Sequence, residues 1–294
     1  MRLIVTGTQG QVARALAERG PVAGVEVRLV GRPEFDLADP AGVARALEGV
    51  DGDVVVNAAA YTAVDKAESE PDLAMRVNAE GAGAVAAAAF ARGLPLLHLS
   101  TDYVFDGALD RPYREDDATA PTGAYGRSKL EGERAVERAH PGALILRTSW
   151  VYAPFGANFL RTMLRLGETR EEVGVVADQR GVPTYAPDIA DALIAVARTT
   201  GPARGAAPPG VYNLVASGEA TWADFAEAIF AEAAAYGRPQ VRVKRIATVD
   251  YPTPAKRPAN SRLDPGKLAR TFGLRLPDWR ASTRECAARL LGPA

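Results

Sequence analysis

The chain has 294 residues, which is enough for one large domain or two interlocked domains with a sizeable core. Hydrophobic residues make up 47% and charged residues 24%, and 35 basic against 36 acidic residues leave a net charge of −1, so binding to nucleic acid through bulk charge is not expected. The single cysteine, Cys286, excludes an internal disulfide and a thiolate zinc cluster, and two histidines argue against a histidine-based metal site.

The N-terminus, "MRLIVTGTQG", turns into a glycine loop after four apolar-rich positions, which is too short for the core of a signal peptide. The longest run of small apolar residues, "AVAAAAFA" at 84–91, is far below membrane-spanning length. We therefore expect a cytosolic protein without a membrane partner.

Strands and helices alternate through the first half of the chain. The predicted order is the strand "RLIVTG", the helix "QVARALAERG" closed by Gly20, the strand "VEVRLVG", the helix "DPAGVARALEGV" capped by Asp39, the strand "DVVVNAA", and a long helix at 70–92. The strand "LPLLHLSTDYVF", a helix that holds Tyr125, and the strand "ALILRTSWVY" follow. Near-continuous apolar strands in β-α-β order predict a Rossmann-like, doubly wound α/β fold, in which helices cover both faces of a parallel sheet.

The second half is less regular and predicts a smaller C-terminal substrate lobe. It contains helices at 158–166, 187–198 and 221–236, a short strand at 210–216, an exposed loop at 199–210, a basic strand at 241–247, a Pro-rich loop at 252–265 and a closing helix. In the helix at 221–236, Thr221 is the expected N-cap and Trp222 a packing residue. We assign residues 1–150 plus about 188–216 to a dinucleotide-binding domain, and about 151–187 plus 217–294 to the substrate lobe.

The segment "GTQGQVA" lies between the first strand and the first helix, where a pyrophosphate can approach bare backbone at a helix N-terminus. Gly7 and Gly10 provide that turn, and Ala13 replaces the third glycine of the usual pattern. Gln11 and Val12 begin the helix and are expected beside the cofactor. In this position the pattern favours dinucleotide binding over a plain tight turn.

The end of the second strand bears on the choice between NAD and NADP. A carboxylate there would bind a ribose 2′-hydroxyl, but the chain has Arg32, which favours a 2′-phosphate and hence NADPH, with NADH as the alternative. Arg32 is otherwise an exposed loop charge. Asp36 and Leu37 are expected to flank the adenine.

The third strand leads into "NAAAYTAVDKAE". Small side chains at the carboxyl end of a strand let a ribose or nicotinamide lie against the backbone, and close packing of helix on sheet explains the same pattern equally well. The residues expected to contact the cofactor are Ala59, Ala60, Tyr61 and Thr62.

The next strand ends in Ser100, Thr101 and Asp102, and a helix then begins with Tyr125 and Lys129, which are four residues apart and so share one helix face. Taken alone, the Tyr–Lys pair is typical of a solvated first turn. The absence of a G-x-S-x-G sequence argues against a hydrolase.

The chain resembles the extended short-chain dehydrogenase/reductases and, among them, the dTDP-4-dehydrorhamnose reductases. The resemblance rests on "GTQGQVA", "DVVVNAAAYTAVDKAESEP", "LSTDYVFDG", "YGRSKLEGE", "LRTSWVYA", "DQRGVPT", "TWADFA" and "YPTPAKRPANSRLD", in family order. It implies reduction of the 4-keto group of a dTDP-sugar. Tyr125 would be the proton donor, Lys129 would hold the nicotinamide ribose, and Thr101 would bind the substrate oxygen; Asp102 and Trp150 would line the substrate site.

The same pairing suggests a pKa shift. A Lys charge about 4–5 Å from a phenol, at an effective dielectric constant of about 20, is worth roughly 3–4 kcal/mol. That energy would lower the Tyr125 pKa by about 2–3 units, towards the neutral range that suits acid–base catalysis.

The basic segments of the second lobe are either a diphosphate-binding surface that includes Arg257 or a solvated face. Gln179 and Thr184 are expected near the cleft without an assigned role. Two alternatives remain open: another member of the superfamily, such as an epimerase or dehydratase, or a regulatory subunit that binds cofactor without catalysis. The chain is expected to be a monomer or a homodimer.

Overall fold

Parallel strands form the centre of the molecule, which this computed structural model describes at residues 1–200 and 207–293. The strands are β1 (Arg2–Thr6), β2 (Glu26–Val30), β3 (Val54–Asn57), β4 (Leu96–Thr101), β5 (Leu144–Thr148), β6 (Val151–Tyr152), β7 (Glu172–Val176), β8 (Arg180–Gly181), β9 (Thr184–Tyr185), β10 (Gly210–Asn213), β11 (Ala220–Thr221) and β12 (Arg242–Ile246). The helices are α1 (Gln11–Val22), α2 (Pro40–Glu48), α3 (Val64–Ala67), α4 (Pro71–Met75), α5 (Ala82–Ala91), α6 (Ala124–Ala139), α7 (Phe159–Gly167), α8 (Ala186–Thr200), α9 (Trp222–Ala235), α10 (Gly266–Phe272) and α11 (Trp279–Leu291).

The central sheet has six strands in the order β10-β5-β4-β3-β1-β2, and every pair in it is parallel. From β1 the chain moves outward to β2 and then returns to β3 on the other side. This reversal opens a crevice at the carboxyl ends of β1 and β3, the position where such sheets bind dinucleotides. The predicted doubly wound α/β fold is confirmed.

A hydrophobic core lies on each face of the sheet. On one face, Leu16 of α1 and Leu193 of α8 pack against the strand residues Leu3 and Val5. On the other face, Val43 of α2 and Val85 of α5 belong to the core that also holds Ile4 and Val55. Because alternate side chains of a strand point to opposite faces, β1 contributes to both cores, as a strand covered on both sides must.

A third hydrophobic core includes Tyr152, Phe225 and Trp279 from the second half of the chain, together with Phe105 and Tyr113 from the first 150 residues. Three short two-stranded ladders, β11–β8, β12–β7 and β6–β9, lie in the second half of the chain. No helix in the described ranges is both long enough and apolar enough to cross a bilayer. The domain boundaries given above stay a prediction.

One predicted helix end is wrong, and one predicted cap is in place without a capping hydrogen bond. Helix α1 does not end at Gly20 but continues through Pro21 to Val22. Gly20 is needed for packing, because a Cβ there would lie 2.4 Å from Val27 Cγ2. Asp39 stands at the N-cap position of α2, yet its side chain accepts no capping hydrogen bond.

Several predicted elements are shorter or interrupted. Strand β4 ends at Thr101, and a 3-10 turn from Asp102 to Val104 follows. Strand β5 ends at Thr148, because Trp150 has a positive φ of 46°, which no strand accommodates. The long helix at 70–92 is divided by a π-helical turn, Arg76–Gly81, between α4 and α5.

The remaining predictions for the second half agree with α7, α8, α9, β10 and β12. Thr221 caps α9 through a capping box with Asp224, as expected. Of the predicted loop at 199–210, residues 201–206 lie outside the described residues, and Thr199 and Thr200 belong to α8.

Candidate active site

Thr101, Tyr125 and Lys129 come together where β4 ends beside the first turns of α6, and all three are buried. Helix α6 starts at this point because the Glu68 carboxylate accepts a hydrogen bond of 2.7 Å from the Ala124 amide. Gly126 lets the helix approach closely, since a Cβ there would lie 2.2 Å from the Tyr103 carbonyl oxygen. The solvated-turn interpretation of the Tyr–Lys pair is therefore wrong.

The Lys129 amine is held against the sheet. Its Nζ donates a hydrogen bond of 2.8 Å to the carbonyl oxygen of Leu99. Burial lowers the pKa of Lys129 to about 8, with the Glu133 carboxylate acting in the opposite direction. The ammonium is thus present at neutral pH but loses its proton more readily than an exposed lysine.

The expected lowering of the Tyr125 pKa is wrong in this structure. Burial of the phenol raises its pKa well above the usual value, and the Thr101 hydroxyl offsets only part of the rise. The Lys129 charge is directed to the Leu99 carbonyl, where it does not counter the burial. Tyr125 therefore stays protonated over the physiological range, which suits a proton donor better than a base.

Asp102 orients the Thr101 hydroxyl. Thr101 Oγ1 donates to Asp102 Oδ1 at 2.9 Å and accepts from the Tyr103 amide at 3.2 Å. Burial raises the pKa of Asp102 to about 6, and hydrogen bonds from Ser261 and Thr101 limit the rise. Asp102 Oδ2 is buried without a hydrogen-bond partner of suitable geometry, so this oxygen can still accept a bond from a ligand hydroxyl.

The glycine turn fits a dinucleotide. Gly7 has a φ of 91°, which favours glycine, and its backbone approaches Ala59, whose Cβ would lie 3.4 Å from a Cβ at Gly7. Gly10 is the N-cap of α1 with no side-chain cap, and no atom lies within 4 Å of the position of its absent Cβ. Ala13 is 1% exposed, as expected for the residue at the helix–strand contact. A phosphate can therefore reach the first amides of α1, at Gln11 and Val12.

The residues after β2 differ in their availability to a cofactor. Arg32 is exposed and forms no ion pair with any residue that the structure describes. The Asp36 carboxylate accepts a hydrogen bond of 2.9 Å from the Ala38 amide. Leu37 is buried in the core against Gly81, so its side chain is less available to flank an adenine than the sequence suggested.

Sequence reasoning missed Asn78, which organises the segment from Ala59 to Thr62. Asn78 accepts from the Tyr61 amide at 2.8 Å, and its amide group donates to the Tyr61 carbonyl and to Ser128 Oγ. Ser128 lies on α6 and is buried, so a single side chain ties the candidate cofactor loop to the helix of Tyr125. An asparagine within an alanine-rich helix was the available signal.

A polar row joins the last residues of β1 and β3 to the middle of β4. Thr6 Oγ1 donates to Asn57 Oδ1 at 2.7 Å and accepts from the Ala59 amide at 3.0 Å. Asn57 Nδ2 contacts His98 Nδ1 at 3.1 Å, and burial lowers the pKa of His98 well below its usual value. His98 is therefore a neutral core residue, and Ala59 is held in place by this row.

Gln11 is bound to the second lobe. Its Nε2 donates to the Val151 carbonyl oxygen at 3.2 Å, and its Oε1 accepts from Asn158 Nδ2 at 2.9 Å. Asn158, which was not predicted as a site residue, is also the N-cap of α7. The start of α1 and the start of α7 are thus linked beside the glycine turn.

Trp150 takes the positive-φ conformation between β5 and β6, which costs about 1–3 kcal/mol for a residue other than glycine and is common at functional sites. Its ring stacks on Trp222, with centroids 3.6 Å apart and planes at 9°. The predicted packing role of Trp222 is confirmed by this contact.

The two residues expected near the cleft without an assigned role differ in their surroundings. Gln179 bonds to Thr248, whereas Thr184 is fully buried and donates to the Val182 carbonyl, so Thr184 does not face the cleft.

Arg257 is paired with Asp65 across the cleft. Arg257 Nη2 donates to Asp65 Oδ2 at 2.7 Å, while its Nη1 is buried without a partner. Asp65 belongs to the "NAAAYTAVDKAE" segment but was not among the predicted site residues. The Nη2 group of the guanidinium therefore joins the two lobes, and the Nη1 group can still bind an oxygen-rich ligand.

Comparison with known proteins identifies the family. A family model described as RmlD substrate binding domain matches residues 1–291. A protein from Sinorhizobium fredii named dTDP-4-dehydrorhamnose reductase is 52% identical over 292 residues, which span 99% of this chain and 98% of the relative. This chain belongs to the dTDP-4-dehydrorhamnose reductase family. The Escherichia coli K12 reductase of the same name is 44% identical over 97% of this chain and 96% of its own length.

Solved structures of dTDP-4-dehydrorhamnose reductases have the same fold. The enzyme from Clostridium acetobutylicum matches with a TM-score of 0.91 and 36% identity over 99% of both chains. The enzyme from Bacillus anthracis, solved in complex with NADP, matches with a TM-score of 0.90 and 34% identity over 98% of this chain and 99% of that one. The prediction of an oxidoreductase is thus confirmed for the family as a whole.

Proposed function

We propose that the protein reduces the 4-keto group of dTDP-4-dehydro-L-rhamnose to give dTDP-L-rhamnose, with NADPH as the reductant. The observation that carries the proposal is the buried grouping of Thr101, Tyr125 and Lys129 at the carboxyl edge of the sheet, beside the glycine turn. Family membership at 52% identity supplies the substrate class.

NADPH, when bound, supplies a hydride to the carbonyl carbon. The Tyr125 phenol then donates its proton to the oxygen that was the carbonyl oxygen. Thr101 Oγ1, whose own proton goes to Asp102, keeps lone pairs for the phenol and for the hydroxyl group that forms. An alkoxide is roughly as basic as hydroxide, whose conjugate acid has a pKa of about 15.7, so even a phenol of raised pKa is acidic enough to protonate it. Lys129 and the segment from Ala59 to Thr62 would hold the ribose side of the cofactor.

The choice of NADPH rests on Arg32, an exposed cation without an ion-pair partner in the described part of the chain, at the end of β2. The B. anthracis relative was solved with NADP. Binding titrations of NADPH and NADH test this choice. A preference for NADH of more than about tenfold would contradict it, since NADH would then bind more tightly by about 1.4 kcal/mol or more.

The substrate is proposed to lie against Asp102, Trp150 and Arg257. Asp102 Oδ2 and Arg257 Nη1 are buried polar atoms without a hydrogen bond of suitable geometry, although Ser261 and Tyr103 lie near them, and this suits a ligand that carries both hydroxyl groups and a diphosphate.

The test is a direct assay of the purified protein with NADPH and a dTDP-4-keto-6-deoxy sugar. The proposal predicts loss of the reduced-nicotinamide absorbance, together with formation of the 4-hydroxy sugar. An epimerase or dehydratase would change the sugar without net oxidation of NADPH. A regulatory subunit would bind the cofactor and leave both compounds unchanged.

A further inference from the structure

Both faces of the Trp150 indole are covered by protein. Trp222 stacks on one face, with the ring centroids 3.6 Å apart. At Gly181 a Cβ would lie 2.3 Å from Trp150 Cε2, 2.5 Å from Cζ2 and 2.7 Å from Nε1. Cε2 lies between the other two atoms and is the nearest, so the Cβ position is above the ring face and not beside its edge. All three nearest atoms belong to Trp150, so this face is the one opposite Trp222.

The surrounding elements hold this sandwich in place. The antiparallel ladder between β8 and β11 pairs Gly181 with Ala220, two residues before Trp222. The capping box of Thr221 and Asp224 fixes Trp222 at the start of α9. Phe159 of α7 lies beside the Trp222 ring, with centroids 4.7 Å apart. Trp222 is therefore held by contacts that do not involve Trp150, and its ring in turn holds one face of the Trp150 ring.

A ring with both faces covered can meet a ligand only through its edge. The edge of an indole is electropositive and carries the Nε1–H donor, which suits oxygen atoms of a sugar or diphosphate. Trp150 is half-buried, its Nε1 donates to no acceptor in the described residues, and this atom is not among the buried unpartnered ones. The indole N–H of Trp150 is therefore open to a ligand.

We infer that Trp222 and Gly181 are positioning residues that hold Trp150 edge-on towards the sugar nucleotide. The inference rests on the proposed function, and it assigns to the start of α9 and to β8 a part in substrate affinity. Neither residue is expected to touch the reacting atoms, so both act through Trp150.

The experiment compares Trp222→Ala, Trp222→Phe and Gly181→Ala with the wild type. The matched control is Trp279→Phe, because Trp279 is 1% exposed, lies in the core of the same lobe, and makes its ring contacts with Phe225 and Arg280. Three quantities are measured: the KM for the dTDP-4-keto sugar, the Kd for NADPH, and the far-ultraviolet circular dichroism couplet that two stacked indoles produce.

We expect Trp222→Ala and Gly181→Ala to raise the KM for the sugar by about tenfold or more, with the NADPH Kd unchanged, since the lost interaction concerns substrate binding alone. Trp222→Phe keeps an aromatic ring under Trp150, so its KM should rise less, but the couplet should disappear. Gly181→Ala retains both indoles and should weaken the couplet by moving one of them. Trp279→Phe should keep both the KM and the couplet.

A wild-type KM in both Trp222→Ala and Gly181→Ala would overturn the inference, as would an equal rise in KM in Trp279→Phe. Absence of the couplet in the wild type would refute the sandwich while leaving the reductase activity intact. A wild-type protein that shows the couplet but does not oxidise NADPH with the sugar would instead defeat the proposed function, and the positioning role with it.

Discussion

At the residue scale, the ionisation of Asp102 controls the direction of the Thr101 hydroxyl. The carboxylate accepts a hydrogen bond of 2.9 Å from the Thr101 hydroxyl, which leaves the lone pairs of Thr101 Oγ1 turned towards its other neighbours. Protonation of Asp102 removes the charge that holds this arrangement. Because burial raises the pKa of Asp102 to about 6, the change falls within an accessible pH range.

We predict that turnover falls on the acid side with an apparent pKa near that of Asp102, about 6. Asp102→Asn should lower kcat and remove this acid limb. Asp188 provides a matched control, since burial also raises its pKa to about 6, but it bonds to Ser282 at the contact of α8 with α11, away from the cleft. The pH profile of Asp188→Asn should keep this acid limb. Loss of the acid limb in Asp188→Asn would show that it does not come from Asp102 alone and would contradict the prediction.

The same pKa shift has a consequence for stability. A carboxyl whose pKa is higher in the folded than in the unfolded state stabilises the fold at low pH, and this contribution is lost as the pH rises through the folded-state value. For Asp102 the shift from 3.8 to about 6 corresponds to at most about 3 kcal/mol. Thermal unfolding should therefore show Asp102→Asn to be more stable than the wild type at pH 8 and no more stable at pH 4. Equal stability at pH 8 would contradict the burial of an ionised carboxylate.

At the element scale, close packing of α6 sets the position of Tyr125. Gly132 lies where a Cβ would be 2.1 Å from the Asn78 carbonyl oxygen, in the π-helical turn. The neighbouring Asn78 side chain holds the Tyr61 loop, so α6 and that loop must keep their spacing together. Helix α6 and the candidate cofactor loop thus share one packing contact.

We predict that Gly132→Ala lowers the free energy of unfolding by about 1–3 kcal/mol and reduces NADPH affinity, because the backbone oxygen cannot give way as a flexible side chain would. Gly83→Ala is the matched control: Gly83 also faces α6, but its Cβ would meet only the Ala135 side chain, at 3.1 Å. Denaturant unfolding and NADPH titration should separate the two variants. Equal effects would show that helix spacing in general, and not the Asn78 contact, determines the result.

The sequence predicts elements better than it predicts their ends. Apolar β-branched runs and helical periodicity predicted the succession of strands and helices along the first half of the chain, because burial on both faces of a sheet leaves few other patterns. The end of α1 was missed, since Gly20 ends helices in many proteins but here serves packing against Val27. The break at Trp150 was missed because a positive φ at a tryptophan depends on the ring contacts that hold it.

The candidate site was predicted where a local pattern indicates it. Spacing and strand-end position singled out Tyr125, Lys129 and Thr101, the family resemblance gave them roles, and the structure brings them together. Asp65, Glu68, Asn78 and Asn158 were not predicted, because their partners are distant in sequence and become neighbours only after folding. The pKa of Tyr125 was predicted with the wrong sign, since burial outweighs a lysine whose hydrogen bond goes elsewhere.

At the scale of the whole molecule, the loop at 252–265 contacts the first 150 residues of the chain. Asn260 Nδ2 donates to the carbonyl oxygens of Leu109 and Arg111, at 2.7 and 2.8 Å. Arg257 reaches Asp65 on the opposite side. We propose that these contacts join a dinucleotide-binding domain to a substrate lobe with the boundaries predicted above, so that the substrate binds between them.

We predict that Arg257→Met raises the KM for the dTDP-sugar by about tenfold or more, because it removes a half-buried charge-assisted donor worth roughly 1.5–3 kcal/mol. NADPH affinity should be unchanged. The adjacent Lys256 has the same charge but is exposed, so Lys256→Met is the matched control and should retain the wild-type KM. Comparable rises in both variants, measured at equal ionic strength, would favour a diffuse basic surface over a specific Arg257 contact.

The measurement that tests the account most directly is the single-turnover rate of Tyr125→Phe with NADPH and the dTDP-4-keto sugar, alongside Tyr103→Phe. Tyr103 lies against Tyr125, with ring centroids 5.4 Å apart, so it loses a hydroxyl from the same pocket without losing the proposed donor. A positioned acid contributes about 10²–10⁴-fold, so Tyr125→Phe should bind NADPH normally and lose nearly all turnover, while Tyr103→Phe should keep most of it. A Tyr125→Phe rate above about a tenth of the wild type would show that the proton comes from elsewhere.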